Sequence, residues 1–292
     1  MLTTTRPMGG MRVKASPLVI AGRAPLLSGS VDPLTWDPSE LDLSNLTWAT
    51  PFDVVAITVI WLRMASRSTA PVLTLPVDPT VRAYLVDMGL DAFLPGDWGR
   101  GGGSGGDPPW LRLTRLSTAD QWDDMQSALW PVARKAFGNN ELTLRTFEML
   151  GELVDNAATH GRSEIGTLVC AQRYTGTRSG LQPGVWLGVA DGGIGIPGHL
   201  RRNPRFSAEA HDQVLIGLSR KAWVTGTAER RGWGLVEVFE NAAAAGPSQV
   251  VIQSGRGEGD FRLRPSGRQR ARYRVARSAV PGTWVHVRVE SR

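Results

Sequence analysis

Hydrophobic positions in the first third of the chain form one long run between two shorter ones. Residues 51–65, PFDVVAITVIWLRMA, are apolar on almost every helical face, which predicts a buried helix. Strand-like runs lie on either side, in SELDLSNLTWATP and in APVLTLPV, and Asp78 followed by Pro79 is typical of the start of a second helix. This order of strand, helix, strand and helix predicts a small α/β unit with parallel strands.

The second half of the chain begins with helical periodicity and ends with strand periodicity. Residues 117–137 and 140–161 repeat apolar side chains at helical spacing, and residues 234–245 predict a later helix. Five further apolar runs predict strands, namely GTLVCAQRY, GVWLGVAD, QVVIQSG, RARYRVA and GTWVHVRVE. Helices that lead into a mostly antiparallel meander predict an α+β fold, a two-layer α/β sandwich.

A glycine-rich segment separates the two halves. Residues 101–106 are all glycine apart from Ser104, and two prolines follow, which is typical of a flexible tether. A phosphate-cradling loop would need a strand before it and a Lys-Ser/Thr pair after it. We therefore predict four parts: a disordered N-terminus at 1–24, an α/β domain at 25–95, a linker at 96–110 and an α+β domain at 111–292.

The composition is that of an ordinary globular protein. It is 41% hydrophobic and 21% charged, and no run reaches the roughly 18 apolar residues that span a bilayer. The basic N-terminus lacks the apolar core of an export signal. The single cysteine, Cys170, excludes an internal disulfide framework and is expected to be a buried thiol. We expect a cytoplasmic protein with no membrane segment.

The chain carries a formal charge of +6, and its arginines are densest in residues 255–279. Such a charge invites a nucleic-acid interpretation. We favour a solvated basic hairpin over nucleic-acid binding and leave contacts with phosphate or an acidic partner as the alternative.

Three segments carry residues suited to chemistry. In ELVDNAATHG, Glu152, Asn156 and His160 follow one another at a spacing of four, which places them on one helical face. Asp191 ends an apolar strand and is followed by a glycine-rich turn, and a second glycine-rich segment, TGTAERRGWGL, leads into a helix.

Each segment suits one part of a nucleotide. A carboxylate at a strand end, such as Asp191, can accept a hydrogen bond from an exocyclic amine. A glycine-rich loop that opens a helix offers N–H groups and a positive dipole end to phosphates. Asn156 offers a neutral oxygen to Mg²⁺, and Glu152 could polarise a hydroxyl or water beside the γ-phosphate. His160 fits equally well as a histidine favoured by the dipole at a helix C-terminus.

These segments resemble the motifs of the GHKL ATPases, which share the Bergerat ATP-binding fold. ELVDNAATHG resembles their N box, DGGIG their D-x-G-x-G box, GWGL their G-x-G-L box and GTWVHVRV the opening of their last strand. The resemblance spans residues 116–290, and the four motifs occur in the family's order. The superfamily includes DNA gyrase, mismatch-repair ATPases, histidine kinases and anti-sigma serine kinases.

The resemblance implies ATP and Mg²⁺ as cofactors. It makes Asn156 the metal ligand, Asp191 the adenine contact and Glu152 the general base. The other implied nucleotide contacts are His160, Gly193, Gly195, Thr225, Gly226, Thr227, Gly232, Gly234, Leu235 and Thr283. The compact anti-sigma serine kinases begin their N box with E-L-x-x-N-A, as here, and none of the four histidines precedes the domain as a phosphoacceptor histidine would.

Residues 33–94 resemble the STAS domain of anti-anti-sigma factors, whose phosphoacceptor serine opens a helix. The matching stretch here is TWATPFDVV, which has no serine, and Thr50 is the nearest hydroxyl. We therefore expect a retained docking surface rather than a phosphoacceptor.

Together the resemblances imply a serine/threonine kinase that acts on a STAS-type or sigma-type protein partner in a partner-switching pathway. Two alternatives stay open: a slow, ATP-gated switch with a lid at residues 208–231, and an enzyme that activates a small molecule. Homodimerisation is also left open.

Overall fold

The computed structural model describes residues 18–19, 40–67, 71–99, 109–137, 141–176, 182–226, 234–264 and 266–291. The predicted disordered N-terminus, apart from residues 18–19, and the glycine run of the predicted linker lie outside these ranges.

The N-terminal unit is a three-stranded parallel sheet with two helices. Its elements are β1 (Leu18–Val19), β2 (Glu40–Asp42), α1 (Pro51–Arg67), β3 (Val72–Thr74) and α2 (Pro79–Asp87). The strands lie in the order β1-β2-β3, and the β2–α1–β3 crossover joins parallel neighbours, as the pattern predicts. Asp78 caps α2, because its carboxylate accepts hydrogen bonds from the N–H groups of Thr80 and Val81.

The C-terminal unit is built on a five-stranded antiparallel sheet. Its strands are β4 (Pro109–Leu116), β5 (Thr167–Tyr174), β6 (Gly184–Asp191), β7 (Ser248–Leu263) and β8 (Gln269–Glu290). They lie in the order β4-β5-β6-β8-β7. Strand β4 begins inside the segment assigned to the linker, and the two last predicted strands are one 22-residue strand, β8.

Helices cover one face of this sheet. They are α3 (Asp120–Phe137), α4 (Glu141–Asn156) and α7 (Gly234–Ala245), with the short α5 (Gly195–Leu200) and α6 (Asp212–Ser219) beside them. Val189, Val250 and Val287 point from the sheet into a core shared with Phe147 of α4 and Phe239 of α7. The α+β class predicted from sequence is confirmed.

Helix α1 covers the opposite face of the same sheet. Phe52 and Ile57 of α1 share one core with Cys170, Ala190 and Trp284 of the sheet. The two units are therefore packed against each other. Helix α1 is buried between them, which agrees with a sequence that is apolar on almost every helical face. The expectation that Cys170 is a buried thiol is confirmed, and burial raises its pKa.

A glycine makes this packing possible. A Cβ atom on Gly188 of β6 would lie 2.6 Å from the carbonyl oxygen of Pro51 and 2.7 Å from the Cα of Phe52. Since both neighbours are backbone atoms, no rotamer change could relieve the clash. Only glycine lets the start of α1 approach the sheet this closely.

The basic run predicted as a hairpin forms the outer part of the β7–β8 pair. Arg270 and Arg272 of β8 are exposed, and Arg274 forms an ion pair with the buried Glu258 across the pair. Among the helices that the structure describes, none is both long and apolar enough to cross a membrane.

Candidate functional site

A pocket opens between α4, α5, the end of β6 and the interior of β8. Its cavity volume is about 100 Å³, and its mouth is open to solvent. The predicted site residues that line it are Asn156, His160, Asp191, Gly195, Thr225, Leu235 and Thr283. Residues from four separate stretches of sequence thus meet around one space.

Asp191, the last residue of β6, provides a fixed carboxylate in the pocket wall. Its side chain is 2% exposed. Oδ1 accepts a hydrogen bond from the N–H of Gly193 at 2.8 Å, and Oδ2 accepts one from the N–H of Thr283 at 3.1 Å. Burial raises the pKa of Asp191 to about 6, and these two bonds oppose the shift. The group is therefore mostly ionised at neutral pH and retains lone pairs for a ligand amine.

The glycine turn after Asp191 packs tightly against the end of α4. A Cβ atom on Gly193 would overlap the carbonyl oxygen of Gly161, and that oxygen also accepts a hydrogen bond from Ile194 N–H at 2.9 Å. Gly193 is not among the residues that line the pocket, and its predicted contact with nucleotide stays a prediction.

Ser254 joins the parts of the pocket that come from α5 and β8. Its hydroxyl accepts a hydrogen bond from Ile196 N–H at 2.9 Å and donates to the carbonyl of Gly282 at 2.7 Å. The same Oγ lies 3.2 Å from Thr283 Oγ1. Thr283, the residue predicted to meet adenine, is thereby fixed beside Asp191.

Helix α4 changes its winding inside the predicted N box. The α-helix ends at Asn156 and continues as a π-helical turn, Ala157–Gly161. Wider turns of this kind occur frequently at functional sites. The side-chain Nδ2 of Asn156 donates to the carbonyl oxygen of Glu152 at 2.6 Å, so Oδ1 is the atom left to bind a cation.

The ring of His160 packs, tilted by 36°, against a second histidine that sequence analysis did not assign to the site. The rings of His160 and His199 have centroids 4.4 Å apart. Gly226 N–H donates to Nε2 of His199 at 3.0 Å, and Thr225 Oγ1 lies 3.3 Å from the same nitrogen. Burial lowers the pKa of His199 to about 4, with His160 and two arginines adding to the effect. His199 is thus a neutral acceptor that holds Gly226.

Glu152 faces a different, acidic pocket between α3, α4 and α7. Its carboxyl group forms a hydrogen bond with Glu237 in the first turn of α7. Burial, then the hydrogen bond and the charge of Glu237, raise the pKa of Glu152 to about 7, and Asp155 adds to the shift. The predicted shared face is therefore divided: Asn156 and His160 line one pocket, and Glu152 lines another.

Two further predicted residues, Gly234 and Leu235, lie at the start of α7. Gly234 is its first residue and Leu235 lines the first pocket, so the N-terminus of α7 lies beside that pocket. Thr227 and Gly232, as well as part of the predicted lid, lie outside the described residues.

Four residues of the two pockets and their surroundings were missed by sequence reasoning: Arg63, His199, Glu237 and Ser254. The sequence did contain an indication for Arg63, because a charged residue in an otherwise apolar, buried helix needs a polar partner. The other three had none, because their roles depend on contacts between elements distant in sequence.

Thr50 lies in the contact between the two units, away from both pockets. It is 1% exposed, and its hydroxyl donates to Asp53 Oδ2 at 2.7 Å while its N–H donates to the same oxygen at 2.8 Å. In this packing the hydroxyl is inaccessible to a kinase site. The expectation that Thr50 is not a phosphoacceptor agrees with its burial.

No family model, curated protein or solved structure matches this chain. Within the described ranges, no group of three or more His, Cys, Asp or Glu side chains is arranged to hold a metal ion. A site that takes one ligand from Asn156 and the others from phosphate and water would not require such a group.

We expect Glu237→Gln to lower the pKa of Glu152 from about 7 towards its ordinary value near 4.5. The substitution removes a negative charge, and the new amide can donate a hydrogen bond to ionised Glu152, which favours the charged form. Carboxyl-carbon NMR titration of glutamate-labelled protein measures the change. Glu240→Gln, one turn further along α7, is the control and should leave the pKa near 7; an unchanged titration in Glu237→Gln would contradict the pairing.

The same pair predicts the sign of a pH effect on stability. Because the pKa of Glu152 is raised in the folded state, the folded protein holds a proton that the unfolded chain releases between about pH 4.5 and 7. The contribution of this group to the free energy of unfolding therefore falls as pH rises through that window.

Proposed function

We propose that this chain is an ATP-binding regulatory protein of the GHKL type, a cytoplasmic Mg-ATP-dependent serine/threonine kinase that acts on a separate protein. The observation that carries the proposal is the pocket itself. It brings together an ionised buried carboxylate, an asparagine amide and the N-terminus of a 12-residue helix, which suit the base, the metal and the phosphates of one nucleotide.

In this proposal Asp191 accepts a hydrogen bond from the adenine amine, and Thr283 beside it contacts the same ring. The pocket wall around them includes Val189, Ile196 and Val285, which would exclude water from the base. Asn156 would hold Mg²⁺ through Oδ1, and the positive end of the α7 dipole favours phosphate. Bound Mg-ATP supplies the electrophilic γ-phosphoryl group and neutralises part of its charge.

Glu152 is the proposed general base. Its raised pKa, about 7, lies close to neutral pH, the range in which a carboxylate is best matched to accept a proton from a hydroxyl. Glu152 lies one helical turn from Asn156 but lines the acidic pocket rather than the pocket of Asn156. Its link to the phosphates in this proposal is Glu237, which stands in the first turn of α7, the helix whose N-terminus is proposed to bind them. The proton of the phosphoacceptor hydroxyl would pass to the carboxylate of Glu152, which is paired with Glu237.

The phosphoacceptor is proposed to belong to another protein, of the STAS or sigma type. Thr50 is the hydroxyl of this chain that corresponds to the STAS phosphoserine, and its oxygen is buried and bonded to Asp53. The helix that would carry a docking surface, α1, is covered by the chain's own sheet.

We expect Glu152→Gln to retain ATP binding and to lose about 10²- to 10⁴-fold in turnover, since the amide cannot accept the proton. Isothermal titration calorimetry measures binding, and transfer of label from γ-labelled ATP measures turnover. Glu240→Gln, in the same acidic pocket, should keep both properties. Full turnover in Glu152→Gln would remove this residue as the base.

The fate of the label also separates the rival functions. Label in an added STAS-type or sigma-type protein supports the kinase. Free phosphate alone supports a slow ATP-gated switch, and turnover that needs an added metabolite supports small-molecule activation. Absence of any ATP binding would overturn all three.

A further inference from the structure

Helix α1 of the N-terminal unit reaches the glycine turn of the proposed nucleotide site. Arg63, in its last part, donates a hydrogen bond from Nη1 to the carbonyl oxygen of Gly192 at 2.8 Å. Gly192 lies between Asp191 and Gly193, so this is a contact from one unit into the base-binding turn of the other.

The two ends of one peptide group connect Arg63 to Asp191. The carbonyl of Gly192 and the N–H of Gly193 belong to the same planar trans peptide and point in opposite directions. Arg63 binds the oxygen, and the N–H donates to Asp191 Oδ1 at 2.8 Å. A cation at one end and a carboxylate at the other polarise the peptide in the same sense, which strengthens both hydrogen bonds.

Other contacts hold the turn without supplying charge. Gly192 N–H donates to Ser163 Oγ at 3.1 Å, and a Cβ on Gly192 would meet Ile165, which packs against the core around α1. The turn is therefore fixed from the α4 side by neutral groups and from the α1 side by a guanidinium. The cation that the structure shows on the turn thus comes from the N-terminal unit.

We propose that Arg63 is a positioning residue of the nucleotide site: through the Gly192–Gly193 peptide it holds and polarises the Asp191 carboxylate, so that the docked N-terminal unit sets the affinity of the pocket for the base. This inference rests on the proposed function, because it assigns Asp191 to the recognition of an adenine amine. By thermodynamic reciprocity, nucleotide binding in turn stabilises the docking of α1.

The test compares Arg63→Met with Arg63→Lys and Arg67→Met in the full chain. We expect Arg63→Met to weaken ATP binding about 5- to 30-fold. The loss should not exceed that of one charge-assisted hydrogen bond, because Arg63 acts on the ligand only through Asp191. Arg63→Lys, which still presents a cation to the carbonyl, should recover most of the affinity. Arg67→Met, which removes an exposed arginine one turn further along the same helix, should bind as the unmodified protein does.

Binding of adenosine, which lacks the phosphates of ATP, tests whether Arg63 acts on the base or on the phosphates. Because Arg63 acts on the base-binding turn, the affinity for adenosine should fall by the same factor as the affinity for ATP, with the melting temperature of Arg63→Met unchanged within a few degrees. Unchanged ATP affinity in folded Arg63→Met, or a loss for ATP without a loss for adenosine, would overturn the inference and leave the proposed function intact. Failure of the unmodified protein to bind ATP would instead overturn the proposed function.

Discussion

Replacing Asp191 by asparagine is expected to weaken ATP binding by at least about 100-fold. The carboxylate now accepts hydrogen bonds from Gly193 N–H and Thr283 N–H, and in the proposed site it also accepts one from the adenine amine. An asparagine presents an NH₂ group at one of these positions, so a donor would face a donor. A lost hydrogen bond to a charged group is worth about 1.5–3 kcal/mol, and the opposed donor adds to that.

The same substitution has a readout that does not depend on nucleotide. Because Asp191 is buried, a mispaired amide should lower the free energy of unfolding by about 1–3 kcal/mol in urea titrations. Asp260→Asn is the matched control, since Asp260 is also buried, accepts a hydrogen bond from Gln249 and lies on β7 away from the pocket. It should cost stability without affecting ATP binding. Full ATP affinity in Asp191→Asn would remove Asp191 from the site.

Gly188→Val is expected to separate α1 from the sheet. The new Cβ would lie 2.6 Å from the Pro51 carbonyl oxygen and 2.7 Å from the Phe52 Cα, so the helix backbone would have to move. Movement of α1 would open the core that it forms with the sheet face opposite α4 and α7. We expect a loss of about 3 kcal/mol or more in the free energy of unfolding, above the range usual for overpacked side chains.

Hydrogen exchange gives a local measure of the same change. Amides of α1 should exchange faster in Gly188→Val, whereas those of α4 on the other face should change less. Gly198→Ala is the control, because its Cβ would meet only the side chain of Ile194 at 3.2 Å, and its stability should stay within about 1 kcal/mol. Unchanged stability and exchange in Gly188→Val would contradict the packing of α1 on the sheet.

Local patterns in the sequence were sufficient for most elements. The all-apolar run at residues 51–65 became α1, and the strand-like runs after α4 became sheet strands in antiparallel pairs. Strand β4 was missed because Pro109 and Trp110 follow the glycine run, and composition alone assigned them to the linker. The π-helical turn was missed because a sequence spacing of four residues does not distinguish an α-helical backbone from a π-helical one.

Local patterns in the sequence also predicted part of the candidate site. The residue types of Asn156 and Asp191 in their short motifs predicted chemistry without reference to neighbours, the resemblance implied Thr283, and the structure brings all three to one pocket. The separation of Glu152 from the pocket of Asn156 could not be found that way. It depends on Glu237, which is 85 positions further along the chain and meets Glu152 only because α4 and α7 pack side by side.

The sequence by itself determined the order of helices and strands and the residue types that a nucleotide site would need, since periodicity and glycine-rich turns act over a few residues. The tertiary structure decided what each apolar surface covers. A helix that is apolar on every side must be buried, but its sequence does not say against what. Packing α1 on the outer face of the sheet placed Arg63 on the turn of Asp191, because Gly188 lets two backbones approach within contact distance.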